Sequence, residues 1–436
     1  MRRTTIVLLL VGLAQCIPQN LGAESSSTTA SAWSPISTAD APIPSEEYAS
    51  VWTGHELIVW RGNEPGEAGR YDPAHDAWAP LSSGGGPTAR RVPIAVWTGT
   101  EMIIWGGTSR TTNDGREESR NDGARYNPLT DTWAPTSLEG APSARVFPAV
   151  VWTGKELLIW GGSAGLSGRA LNDGAAYDPS TDAWRALPSD GRPSPLYHPS
   201  HVWTGREMLI WGRLASDRSP YYAQFSSRAT GASYDPEADV WTSIPSAPSD
   251  PSHSVYSATW TGTEMVLWDG LDGGRYDPTR HEWHTMSSQT GVPDRQENIG
   301  HLIWSGRELI MWGGRGGTEV PRHVVEFNNG SRYDPTTDTW CPILGGNGPA
   351  SGFGPSTWTG DSMLIWPGRD RVGGIYRPYW LNALQETMTY DTSGRPLVAY
   401  SPARRIASPS SRRTGRSLNA SATRRPGSSG LRWTIG

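Results

Sequence analysis

The sequence predicts an all-β protein built from seven copies of one four-stranded unit. Three observations carry that expectation. The signature W-[TS]-G starts at Trp52, Trp97, Trp152, Trp203, Trp260, Trp304 and Trp358, at spacings of 44 to 57 residues. A continuous apolar run follows each signature, as in "ELLIWGG". Six of the seven copies then carry a Tyr-Asp-Pro or Tyr-Asn-Pro turn leading to a Trp. Self-similarity at this period marks a repeat array, which is one architecture however long it runs.

Each element of the unit has a physical reason. The first strand ends at the signature Trp, as in "PAVVWTG", and the glycine makes a tight turn. The second strand is apolar without alternation after its Glu, which suits a strand covered on both faces. A loop of variable length follows. The third strand ends in "YDP", and "TDxW" opens the fourth. In "YDPxTDxW" the first Asp accepts backbone hydrogen bonds at the start of a turn. Pro presets φ at the next position, and the second Asp caps the exit. This hairpin stands at residues 71–78, 177–184, 234–241, 276–283 and 333–340; residues 126–133 form a variant with Asn127.

The seventh unit runs "MLIWPGRDRVGGIYRPYW" and then loses the pattern. Its fourth strand is supplied by the other end of the chain. "AWSPIS" at residues 32–37 reads like "AWAPLS" at 77–82 and "TWCPIL" at 339–344. Residues 33–36 are therefore expected to pair with the third strand near Ile375, closing a ring and removing the sheet edges that would aggregate.

Units of about 50 residues with a paired glycine after an apolar strand and a later Tyr and Trp resemble Kelch repeats. The "WTG" and "YDP" details look like a bacterial branch of that family, within the galactose-oxidase-like superfamily. The resemblance covers residues 33–378. It implies a seven-bladed β-propeller with one four-stranded blade per unit, the N-terminal strand completing the last blade.

Composition agrees with a packed fold. There are 23 Trp and 15 Tyr against 4 Phe, bulk that a disordered chain lacks. Gly and Pro are about a fifth of the residues, short of the roughly 25–30% of low-complexity sequence. Through Pro378 there are 29 basic against 41 acidic residues, a poor footprint for nucleic acid. Lys155 is the sole lysine. Arg2 and Arg3 precede an apolar run at residues 6–14, which reads as a secretory signal over residues 1–23. "LGA" at 21–23 offers one cleavage site. "LAQC" offers a lipobox with Cys16 as the lipidated residue, although Gln15 departs from its small-residue preference. Both exits, free secretion or periplasm and a lipid anchor at the bacterial envelope, stay open. No other stretch has the length of a membrane span. Residues 24–31 read as a linker and 32–378 as the propeller. Cys16 and Cys341 make no disulfide framework, and Cys341 is expected to stand alone. Residues 379–436 carry nine Arg against Glu386 and Asp391 and no repeat signal. They read as a disordered basic tail or, since Arg377-Pro378 replaces the expected Asp-Pro, as the product of a frameshift.

Function is sought where the repeat breaks. What recurs in every unit is scaffold, so Glu56, Glu101, Glu156, Glu207, Glu264 and Glu308 are expected to form structural pairs, and Asp pairs such as Asp334 and Asp338 to cap turns. The variable loops all fall on one face, and binding residues concentrate on loops held by a rigid frame. Candidate ligand-binding residues there are Arg90, Arg145, Tyr197, His198, Arg213, Tyr221, Tyr222, His253 and Glu297. Arginine, carboxylate and aromatic groups together suit a peptide or a sugar. A binding or scaffolding module for protein or glycan, monomeric and without a cofactor, is the leading reading. The alternative is a carbohydrate-processing enzyme at the channel mouth, drawing on Glu46, Glu297 and Arg145. A third reading is a cell-surface structural element. The nine His show no metal-ligand spacing. No copper-oxidase, sialidase, Ser-His-Asp or phosphate-loop signature appears.

Overall fold

In the computed structural model the described residues are 33–378, without 46–47, 63, 65, 111–116, 167, 216–228, 248–256, 271, 288–299, 320–321, 344–347, 351–353 and 367–372, together with 389–390 and 396–397. The chain divides into two units, Met1–Asn382 and Ala383–Gly436. In the second, Thr389–Tyr390 pairs with Pro396–Leu397. The readings of the first 31 residues, and of the tail as disordered or frameshifted, lie outside the described residues.

The first unit is a seven-bladed β-propeller of four-stranded antiparallel sheets. The first strands of the blades neighbour one another around a ring. Ala49–Trp52 meets Ile94–Trp97, followed by Ala149–Trp152, Leu196–Trp203, Ser257–Trp260, His301–Trp304 and Ser356–Trp358, which returns to Ala49–Trp52. Blade 7 is closed as the repeat predicts. Trp33–Pro35 is its outer strand, with Trp33 opposite Tyr376, Ser34 opposite Ile375 and Pro35 opposite Gly374.

The core lies between blades. The second strands are buried on both faces because neighbouring blades cover them, which is why they read as unbroken apolar runs. Each ends in a Trp: Trp60, Trp105, Trp160, Trp211, Trp268, Trp312 and Trp366 are all at most 1% exposed. Each of these indoles packs on the outer-strand Trp of the next blade, from Trp60 on Trp133 at 6.0 Å round to Trp312 on Trp33 at 4.4 Å and Trp366 on Trp78 at 4.3 Å. The outer Trp is covered on its other side by its own blade's Tyr, as for Tyr71 and Trp78 at 5.1 Å and Tyr376 and Trp33 at 5.3 Å. Aromatic pairs in such tilted geometries add about 0.5–1.5 kcal/mol each beyond the area they bury.

The "YDP" hairpins behave as their chemistry dictates. The first Asp or Asn accepts the N–H two residues on, as in Asp178 from Ser180 at 2.8 Å and Asn127 from Leu129 at 2.9 Å. The second Asp does more than cap. It sits in the left-handed region, with φ between 48° and 57° at Asp76, Asp131, Asp182, Asp239 and Asp338. Its carboxylate accepts the Tyr hydroxyl of its own blade and, at four junctions, a backbone N–H of the preceding blade. Asp182 does both, from Tyr177 at 2.6 Å and Ser137 at 2.8 Å. The repeated Glu residues pair structurally, for example Glu308 with Arg332 at 2.9 Å and Glu264 with Arg275 at 3.1 Å.

Cys341 is buried, and the other cysteine, Cys16, lies outside the described residues.

Trp33 is 4% exposed and forms the final seam of the ring. Trp33→Ala should lower unfolding free energy by about 3–5 kcal/mol in a denaturant titration. Leu129→Ala, at a side chain 90% exposed, should leave it within about 0.5 kcal/mol.

Candidate functional site

An antiparallel blade sends alternate connections to opposite ends. The short W-[TS]-G and "YDP" turns therefore share one face, and the variable loops share the other. The turn face is uniform. Thr153 Oγ1, for instance, accepts the Glu156 N–H at 2.8 Å while Gly154 takes a φ of 96°. The loop face carries what differs. An extra hairpin, Thr108–Arg110 with Glu117–Ser119, rises from blade 2, and another, Arg315–Glu319 with Arg322–Glu326, from blade 6. Blade 4 has lengthened strands, Leu196–Trp203 and Met208–Leu214.

Arg90 and Arg145 hold this face together from inside. Their side chains are fully buried. Arg145 donates to the carbonyls of Ser143, Gly161 and Asp173 and to the Asp173 carboxylate, all within 3.0 Å. Arg90 donates likewise to the carbonyls of Thr88, Gly106 and Asp122 and to the Asp122 carboxylate, at 2.9, 3.2, 3.1 and 3.0 Å. Burial alone would raise the Asp122 carboxyl, but hydrogen bonding and charge from Arg90 outweigh it and hold the group below its usual range. Each guanidinium ties three loop segments of one blade to one another. This replaces the expected ligand role of both arginines with a framework role, because no donor of either is left facing outward.

The remaining chemistry lies just beyond, on half-buried side chains. In blades 2 and 3 the segment entering the first strand crosses the glycine pair of its own blade. Arg91 and Thr108 exchange backbone hydrogen bonds, as do Val146 and Ser163. A Cβ on Gly162 would lie 2.5 Å from the Val146 carbonyl, so only glycine fits there. The next residue then kinks. Val92, Phe147 and His198 have φ of 45°, 53° and 41°, each directly before a proline. Bulky residues in the left-handed region are strained by about 1–3 kcal/mol each. In blade 4 the kink coincides with a register shift between Tyr197 and Ser200, and such bulges re-aim side chains. The result is an aromatic stack bridging blades 3 and 4. Phe147 and His198 lie 4.0 Å apart, and His198 stacks flat on Tyr197 at 3.9 Å. His198 Nε2 is buried with no hydrogen-bond partner among the described residues. Burial pushes the His198 imidazole down to about 4, so it is neutral near pH 7.

Of the remaining expected residues, Arg213 is buried and paired in register with Tyr197. Tyr221, Tyr222, His253, Glu297, Glu46 and Cys16 lie outside the described residues. Among the described residues no group of three His, Cys, Asp or Glu is placed to hold a metal. No helix is long and apolar enough to cross a membrane.

Residues 25–212 and 94–269 match the family model described as the KLHDC2/KLHL20/DRC7 Kelch-repeats domain. The chain belongs to the Kelch-repeat β-propellers. An F-box/kelch-repeat protein of Arabidopsis thaliana is 27% identical over 196 residues, 39% of this chain and 39% of that protein. The Kelch-like protein terF of Aspergillus terreus is 24% identical over 267 residues, 57% of this chain and 54% of that one. This Kelch propeller thus spans no more than about half the length of either relative.

The stack of this Kelch propeller joins Tyr197 and His198, both among the expected residues, to Phe147, which was not, and Val92 shares its kink. The available signal was the recurring bulky-residue–proline pair five residues before the signature Trp in three successive units.

Two expectations follow. Arg145→Met leaves buried carbonyls without a donor and should cost about 3 kcal/mol in chemical unfolding. Burial also holds His301 down to about 4, like His198, so the unfolded chain binds more protons than the native one between about pH 6.5 and 4. Stability is full above that window and falls as pH drops through it. Thermal unfolding should show this acid loss, and His198→Phe should remove part of it.

Proposed function

We propose that this Kelch propeller is a protein-binding module whose loop face receives a partner polypeptide across blades 2 to 4. The observation carrying this reading is the strained Phe147–His198–Tyr197 stack. Three successive kinks hold bulky side chains at an energetic cost, and strain of this kind concentrates at ligand-contacting positions. The stack offers a half-buried aromatic surface on which an apolar side chain of a docked chain can pack. Two of its members stand on the long first strand of blade 4. The names of the two relatives place them among Kelch proteins, and the family is typically used for protein interaction. Arg2 and Arg3 ahead of the apolar run at residues 6–14 support extending the proposal to an exported module.

The test is selection of peptides from a displayed library on the full chain. Enriched peptides should bind in titration calorimetry and weaken about tenfold or more, or about 1.4 kcal/mol, with Tyr197→Ala. They should be unaffected by Lys155→Ala on the turn face. Peptides indifferent to Tyr197→Ala and His198→Phe would sink the reading.

A further inference from the structure

The turn face departs furthest from its repeat at the seam where blade 7 meets blade 1. At three other seams an arginine of the third strand reaches the next blade's "YDP" turn. Arg70 donates to the Pro128 carbonyl at 3.1 Å, Arg125 to Pro179 at 2.6 Å and Arg275 to Pro335 at 2.8 Å. The same arginines pair with Glu56, Glu101 and Glu264 of their own blades. At the seam after blade 3, Arg185 of the outer strand takes over, bonding Glu156 and reaching Tyr234 and Asp239 of the next blade. Blade 4 has Ser233 and Thr242 at the two arginine positions but keeps Glu207, and blade 7 alone lacks both partners of this bridge. Its register puts Ile375 where blade 1 has Arg70, and Ser362 where the other six blades have Glu.

The missing bridge leaves room. A cavity of about 460 Å³ opens there, lined by Trp52, Leu364 and Ile375, with Pro73, Asp72 and Asp361 among its other walls. Pro73 is the counterpart of Pro128, Pro179 and Pro335, and among the described residues no side chain donates to its carbonyl. Asp361 accepts from the hydroxyls of Thr359 and Ser362. Burial alone would raise its carboxyl, yet these bonds and the charge of Arg377 keep it below the usual range, so it is ionised near pH 7. Arg377 lines the rim, exposed and without an ion pair among the described residues.

We propose that this cavity takes an arginine side chain of a partner polypeptide, seated where the framework's own arginines sit at the other seams. The apolar walls receive the methylene stem. The guanidinium meets the Pro73 carbonyl and the Asp361 carboxylate, in the planar, many-donor geometry that arginine supplies and lysine does not. Arg377 at the rim opposes the incoming charge. This site is on the opposite face from the proposed loop-face site and stands or falls separately from it.

The probe is N-acetylarginine amide, titrated into the full chain by calorimetry with the Trp52 indole followed by NMR. N-acetylcitrulline amide, uncharged and nearly isosteric, is the comparison. Arginine amide should bind saturably in the millimolar range and shift the Trp52 signal, with citrulline amide about tenfold weaker or silent. Arg377→Ala should tighten binding. Ile375→Arg with Ser362→Glu installs the framework bridge and should abolish it while preserving or raising the melting temperature. If that double variant fails to fold, Asp361→Asn serves instead, with about a tenfold loss expected. No binding of the amide, equal binding of citrulline, loss of binding with Arg377→Ala, or binding that persists in the filled or Asn variant would each overturn the proposal.

Discussion

Everything in this propeller depends on one indole being held between two rings. The outer-strand Trp of each blade is packed on its own blade's Tyr and on the buried Trp of the blade before it, at all seven seams from Trp78 with Trp366 to Trp33 with Trp312. A single four-stranded blade cannot bury both of its faces, so the stack is at once the core of the fold and the glue between units. Cooperation follows from the geometry. No blade owns its core, and the ring is stable only when the last seam forms. That is why the chain takes the strand Trp33–Pro35 to complete its last blade.

The second constraint is the second Asp of the "YDPxTD" hairpin. One carboxylate serves three tasks: it tolerates a left-handed backbone, receives the Tyr hydroxyl, and catches a backbone N–H of the preceding blade. Burial and then the hydrogen bond to Asp push these Tyr hydroxyls well above their ordinary range, so they remain donors at any physiological pH. In blade 5 His281 stands in this place, at φ 56°, and its ring nitrogen meets Tyr276 at 3.1 Å. The stack and the turn are therefore coupled, since the Tyr that covers the indole is oriented by the Asp that grips the neighbouring blade.

How much of this was legible follows from which features leave a letter behind. Ring closure was readable because Trp33 repeats a word used by other outer strands. The pairing of the repeated Glu residues was readable because a charge recurring in a symmetric frame must be neutralised in each copy. The roles of Arg90 and Arg145 were misjudged because a buried guanidinium and an exposed one share a letter. Yet the same symmetry filter applies to them: Thr88-x-Arg90 and Ser143-x-Arg145 stand seven residues before their signature Trp in adjacent units, so they belong with the framework. The kinks at Val92, Phe147 and His198 left the faintest mark, because a positive φ on a non-glycine residue is imposed by the crossing over the glycine pair in blades 2 and 3 and by the register shift in blade 4, and not by the residue's own preference.

The framework also explains why exceptions on opposite faces carry different chemistry. On the loop face, blades differ by addition, through hairpins and longer strands built outward from fixed Arg–carboxylate anchors, so a site there is a raised and bordered surface. On the turn face the short turns repeat from blade to blade, and the difference at blade 7 is a subtraction. At blade 7 the loss of one Glu and one Arg removes a bridge that the surrounding carbonyl and walls are still shaped to receive. A ligand at such a place must resemble the part that is missing, which is what makes the chemistry of that seam more specific than that of the broader loop surface.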